Sequence, residues 1–258
     1  MSIFRGGPGR LLPRKHSADV GATMQIVQIS DTHVSREHTA RASELAACIQ
    51  FINRLVPAPD VVVHTGDVAH DGMAEEYAIA RGLLDELDAP YFVIPGNRDN
   101  RLELIKAFAD GRHVRLGMEF IQYPVEHPDA RLIFVDTVST DGNKGHLCAA
   151  RLAEIERMLS ADAGRPSLLF LHHPPFEIGI IPDPFQYDDW AAVEAFGALL
   201  ARHRQVRGVY CGHVHRNVQA SIGSIRASTV SCVAPDLRKG KVDVSRHELV
   251  IFDTNGIE

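Results

Sequence analysis

Apolar residues fall along this chain in short runs, separated by stretches that repeat every three to four positions. The runs at 24–29, 61–63, 91–94, 132–135, 168–171 and 206–211 are nearly continuous in apolar residues. Their length suits strands buried on both faces. Between them, one face of a helix is marked by Leu45, Ile49, Ile52, Leu55 and Val56, predicting a helix over 40–56. Tyr77, Leu83, Leu84 and Leu87 predict another over 74–87, and Leu152, Ile155 and Leu159 a third over 149–159. Shorter helices are expected at 101–108 and 190–202. Strand–helix alternation predicts an α/β fold. No helix is expected past Gly212, where 225–230 and 247–252 read as closing strands. A β-rich final third fits two packed sheets flanked by helices better than one doubly wound sheet.

The length of 258 residues suits one large domain. Residues 1–23 stand apart, with Arg5, Arg10, Arg14 and Lys15 set among Gly6, Gly7, Pro8, Gly9 and Pro13. They read as a flexible basic tail ahead of a domain over 24–258. The tail has no apolar core of about 7–15 residues, so it makes a poor secretory signal. A net charge of −6 weighs against a nucleic-acid polymer as partner. No stretch approaches the roughly 18 apolar residues of a membrane span, so no membrane partner is expected. Cys48, Cys148, Cys211 and Cys232 are scattered without a C-x-x-C pair, which argues against a zinc knuckle or a disulfide framework. A cytoplasmic location is the expectation.

The chemistry sits where the strands end. The first ends in Ser30-Asp31-Thr32-His33, the second in His64-Thr65-Gly66-Asp67, and the third in Gly96-Asn97-Arg98-Asp99. The fifth ends in His172-His173-Pro174-Pro175 and the sixth in Gly212-His213-Val214-His215. One such residue is an ordinary turn or cap. Five successive ends carrying Asp, Asn or His at one edge point to a shared site. Oxygen and imidazole donors without thiolates suit Mn, Fe or Zn. If the segments are extended, Asp31 and His33 lie on one side, as do His213 and His215. Gly66 lets the backbone approach closely enough for Asp67 to bridge two ions. Ions about 3.5–4 Å apart can clamp an in-line displacement at phosphorus, with a hydroxide between them as nucleophile.

Asp31-x-His33, Gly66-Asp67, Gly96-Asn97, His172 and Gly212-His213-x-His215 resemble, in order, the five blocks of the calcineurin-like metallophosphoesterase superfamily. His172-His173-Pro174-Pro175 and the segment from Asp136-Thr137 to Gly145-His146-Leu147 are similar to its class III cyclic-nucleotide phosphodiesterases and bacterial glycerophosphodiesterases. The resemblance implies a four-layer α/β/β/α sandwich and two divalent or mixed-valence ions of Mn, Fe or Zn. It implies one ion held by Asp31, His33, Asp67 and His215, and a second by Asp67, Asn97, His172 and His213. Enzymes so resembled are often dimers or larger, which leaves a homo-oligomer open.

Arg98 departs from the pattern, because most of that superfamily has histidine after the asparagine. Arginine can grip a phosphate oxygen through two N–H groups but does not release a proton near neutral pH. Asp67, Asn97 and Arg98 are therefore the residues expected to act in catalysis, with Arg98, His146 and His70 expected to reach the substrate. His64 is expected to be a buried, hydrogen-bonded histidine, with support of a ligand as the alternative, His173 to support a ligand or face solvent, and Asp99 to anchor its turn. The apolar segment 176–189 reads as a lid or pocket wall. The expected activity is hydrolysis of small or nucleotide-like phosphodiesters. The alternative is phosphomonoester or pyrophosphate hydrolysis, since Gly-Asn-Arg-Asp also resembles the UDP-diacylglucosamine pyrophosphohydrolases. Against that alternative, their insert is missing here. A non-catalytic scaffold would have lost ligands, and all seven positions are present.

Overall fold

The computed structural model describes residues 24–178, 186–239, 249–253 and 256–257. The basic tail, the centre of segment 176–189 and the start of the strand expected at 247–252 lie outside them. In chain order the elements are β1 (Gln25–Ile29), α1 (Thr39–Ile52), β2 (Val61–His64), α2 (Ala74–Leu84), β3 (Tyr91–Val93) and α3 (Arg101–Phe108). They continue with β4 (Tyr123–Glu126), β5 (Arg131–Phe134), α4 (Ala149–Ser160), β6 (Ser167–Phe170) and α5 (Trp190–Ala201). The last are β7 (Val206–Cys211), β8 (Val218–Ile222), β9 (Ile225–Thr229), a 3-10 turn at Pro235–Leu237, β10 (Val250–Asp253) and β11 (Gly256–Ile257).

Two sheets form. One runs β11-β10-β1-β2-β3, with β1, β2 and β3 parallel. The other runs β4-β5-β6-β7-β9-β8, with β5, β6, β7 and β9 parallel. The two-residue alternation of a strand assigns the layers. Leu132 and Phe134 of β5, with Leu168 and Phe170 of β6, share a core with β1–β3 and helices α1–α3. Ile133 and Leu169, one step out of phase, share the other core with Ile155 and Leu159 of α4 and Phe196 and Leu200 of α5. The order is thus helices, sheet, sheet, helices, the four-layer α/β/β/α sandwich.

The seam between the sheets is largely aromatic. Stacked rings run from Tyr123 to Phe134 (4.8 Å), Phe170 (5.3 Å) and Tyr210 (5.5 Å), then cross to Phe252 of the other sheet (4.2 Å). Each such pair adds about 0.5–1.5 kcal/mol beyond area burial. This seam fixes the sheets against each other, so that the carboxyl ends of β1, β2 and β3 face those of β6 and β7. Three of the expected helices end early. In α1 the chain leaves the helix after Ile52, ahead of Pro57, and Val56 is 96% exposed instead of facing the core. Leu87 lies in a turn beyond α2, yet it is buried.

Candidate metal centre

β1 and β2 deliver Asp31, His33 and Asp67 from the first sheet, and the turn after β3 delivers Asn97. β6 and β7 deliver His172, His213 and His215 from the second. Asp31, His33, Asp67 and His215 each offer a ligand atom within 4.8 Å of one another. His172 and His213 converge on Asn97 Oδ1, at 3.1 Å from Nε2 and 2.9 Å from Nδ1 respectively. Asp67 Oδ2 stands between the groups, 3.5 Å from His33 Nε2 and 3.6 Å from His172 Nε2. The seven positions named from the sequence therefore come together from both sheets.

They do so by a different backbone route from the one expected. Asp31, His33, Asp67, His213 and His215 all have positive φ, between 42° and 73°. They are not extended, so the strand's two-residue alternation does not align them. Each sits in the left-handed region, which turns the chain back and aims the side chain inward at a cost of roughly 1–2 kcal/mol per residue. They are the only non-glycine residues with positive φ among those described. Close approach does the rest. A Cβ on Gly66 would lie 2.7 Å from His172 Nδ1, and one on Gly212 would lie 2.6 Å from Asp31 Oδ2.

The donors fit a cation. His215 Nδ1 donates to Leu237 O (3.0 Å), which leaves a lone pair on Nε2 facing Asp31 Oδ1 at 3.3 Å. Asp31 Oδ1 is buried and makes no hydrogen bond, its other oxygen being taken by the His213 N–H. Similarly, His172 Nδ1 donates to Thr65 O (2.8 Å), and its Nε2 lone pair faces the Asn97 carbonyl. Lone pairs facing carboxylate and carbonyl oxygens need a cation or a proton between them. Burial pushes His172 down to about 3 and His33 well below its ordinary value, so both imidazoles are neutral and able to ligate. Burial works against the His215 cation too, but the adjacent Asp31 carboxylate raises its pKa overall. Burial and the neighbouring Asp31 charge push Asp67 well up, a penalty that bound cations would relieve.

The remaining predicted residues divide. Asp99 touches no ligand side chain. Its carboxylate accepts from the N–H groups of Val68, Ala69 and Gly96 and from the Tyr77 hydroxyl, stapling the Asp67 and Asn97 turns together. His64 accepts from Gly66 N–H and donates to Thr32 Oγ1, whose hydroxyl donates to Val68 O. His173 is buried, not solvent-facing. Its ring lies 4.5 Å from that of His213, but its nitrogens bond Thr137 Oγ1 (2.8 Å) and Asn143 O (3.2 Å), which makes it a support and not a ligand.

Arg98 N–H donates to Asp67 Oδ1 (2.7 Å), and its exposed guanidinium donates to His70 Nε2 (3.3 Å). The His70 ring packs 5.6 Å from the His33 ring. His146 is exposed, and no described contact joins its imidazole to the ligands. Its backbone is pinned by Thr137 and Arg151. Of segment 176–189, Phe176, Ile178 and Tyr187 are buried in the second core. The sequence reading missed Arg101, which grips Asp136 with two nitrogens (2.7 and 3.0 Å) and ties α3 to the loop behind His173.

The family model described as Calcineurin-like phosphoesterase matches residues 24–217, three quarters of the chain. The chain belongs to the calcineurin-like phosphoesterase family. It is 34% identical over 232 residues to a protein named probable glycerophosphodiester phosphodiesterase GpdQ from Arcobacter nitrofigilis, covering 84% of this chain and 82% of that one. It is 28% identical to one named 3',5'-cyclic adenosine monophosphate phosphodiesterase CpdA from Pseudomonas aeruginosa, covering 82% and 78%. In fold it is similar to a dimetal phosphatase from Danio rerio, at TM-score 0.72 and 16% identity, covering 89% and 92%. Membership implies a two-ion site of the kind this donor set would fill. No described helix is long and apolar enough to cross a membrane.

Proposed function

We propose that this phosphoesterase hydrolyses small phosphodiesters, nucleotide-like or glycerol-based, at a two-ion centre. Asp31, His33, Asp67 and His215 would hold one ion, and Asp67, Asn97, His172 and His213 the other, with Mn, Fe or Zn suiting these donors. The observation that carries this reading is Asp67 Oδ2, which lies 3.5 and 3.6 Å from an imidazole of each group. When bound, such ions supply Lewis acidity at the phosphoryl oxygens and activate water for attack near neutral pH.

The chain's own residues do the rest. Asp99 and His64 hold the turns so that the ligands need no reorganisation. The Arg98 main chain fixes Asp67, while its guanidinium has no carboxylate partner among the described residues and is free to take a phosphate oxygen. It can stabilise charge building there but cannot protonate a departing alkoxide. Water is left to supply that proton, because His70 Nε2 accepts from Arg98 and burial lowers the His70 pKa. Esters with good leaving groups, such as aryl phosphodiesters, are thus the preferred substrates. The protein would act in the cytoplasm on a small-molecule diester, without nucleic-acid polymer or membrane.

A second reading, phosphomonoester or pyrophosphate hydrolysis, is favoured by the same unpaired Arg98 charge, which could offset an additional anionic oxygen. Comparing bis-aryl with mono-aryl phosphate turnover by the metal-loaded protein separates the two. Faster diester turnover supports the first reading, and faster monoester turnover replaces it with the second.

A further inference from the structure

The family match stops at residue 217, yet a later segment, 231–239, wraps one half of the centre. Ala234 N–H donates to Asp31 O (3.2 Å), while Lys239 N–H and the Ser231 hydroxyl donate to His215 O (2.9 and 3.1 Å). Leu237 O accepts the His215 Nδ1 proton and so sets which way that imidazole faces. No described contact joins this segment to Asn97 or His172.

Two ion pairs fasten the segment to α1. Arg238 Nη2 bonds Glu44 Oε1 at 2.9 Å. Arg41 grips Asp236 through Nη2 (2.7 Å) and Nε (2.9 Å), and its Nη1 lies 3.4 Å from His33 O. The Arg41 side chain is only 3% exposed. One buried guanidinium therefore contacts the main chain of one ligand and holds the turn whose carbonyl orients another. Lysine, with a single nitrogen, cannot span both.

We propose that Arg41 and Asp236 form a positioning pair for the ion held by Asp31, His33 and His215, setting its affinity apart from that of the second ion. This rests on the reading that those residues hold an ion. The ring of a histidine ligand is oriented by the acceptor on its other nitrogen, and loss of that support weakens binding by about 10–100-fold. Here the acceptor is a main-chain carbonyl, so its place depends on what anchors the turn. Asp236, next to Leu237, is the anchor that Arg41 holds while touching His33 O.

The test is titration of the metal-stripped full chain with Mn(II), followed by calorimetry. Wild type is expected to show two binding classes. In Asp236→Asn one class weakens about 10–100-fold while the other stays within about two-fold. Arg41→Gln gives the same selective loss, and the double variant is no worse than the weaker single, because the pair acts as one unit. Asp236 is half-exposed, so Asp236→Asn keeps the test open if Arg41→Gln does not fold. Both classes unmoved, or both weakened alike, overturns the pairing. A wild-type chain with no binding class instead overturns the two-ion reading beneath it.

Discussion

Asp99→Asn changes one atom of the side chain that joins the Asp67 and Asn97 turns, and the cost can be worked out from the acceptors it loses. Oδ2 accepts Val68 N–H (3.1 Å) and Gly96 N–H (2.8 Å), while Oδ1 accepts Ala69 N–H (3.0 Å) and the Tyr77 hydroxyl (3.0 Å). An amide nitrogen in the Oδ2 position would face two backbone hydrogens. In the Oδ1 position it faces only one, because the Tyr77 hydroxyl can turn its hydrogen toward Asn100 O, 3.5 Å away, and accept. The variant will take the second arrangement and leave Ala69 N–H buried without an acceptor, costing about 1–3 kcal/mol. The two bonds that survive lose charge assistance, adding about 1 kcal/mol more. Urea unfolding of the metal-stripped proteins should therefore show a loss of about 2–4 kcal/mol. Turnover of an aryl phosphodiester should fall about 10-fold or more, since both stapled turns carry ligands. A variant within about 0.5 kcal/mol of wild type, at unchanged turnover, would refute the staple.

Three further outcomes follow from the same geometry. In Gly96→Ala the new methyl collides with Asp67 and lies 2.7 Å from His172 Cε1. The fold should lose about 1–3 kcal/mol or more, and elemental analysis should find fewer ions per chain; full metal content would count against it. Arg98→His should narrow the gap between aryl and alkyl leaving groups by supplying a titratable proton donor, whereas Arg98→Ala should raise KM at unchanged metal content. If neither variant moves either quantity, Arg98 serves the turn alone. The Arg41 hydrogen bond holds Asp236 at about 2, below its ordinary 3.8. Its contribution is therefore complete above about pH 4 and is lost as pH falls through about 2. Asp236 is half-exposed, so that contribution is under about 1 kcal/mol. The Tm difference between wild type and Asp236→Asn should close over that window, and one that persists at pH 2 contradicts the ion pair.

The sequence was most legible where chemistry follows directly on an apolar run. His64 ends Val61–His64 and leads into Asp67, and Asn97 follows Tyr91–Val93 with one Pro-Gly turn between, so these residues could be singled out as candidate ligands from the sequence. The edge strands of the second sheet, β4 and β8, were not legible. Tyr123–Glu126 is four residues with a proline inside, and Val218–Ile222 alternates partly buried residues with the exposed polar Gln219 and Ser221, so neither forms an apolar run. The left-handed turns at the ligands carry no sequence mark, because the usual sign is glycine and these residues are Asp and His. Arg41 and Asp236 are 195 positions apart, and Arg41 reads locally as one more polar residue on an amphipathic helix.

Five side chains in left-handed backbone conformation set stability against activity at identifiable positions. Glycine at Asp31, His33, Asp67, His213 or His215 would relax the main chain while deleting a donor. A laboratory selection that rewards only heat resistance would be drawn to these sites and would accumulate folded, inert proteins. Selecting for heat resistance in the presence of a chelator should enrich such changes, and selecting in the presence of Mn(II) should purge them. The two lineages would then diverge at the same five codons.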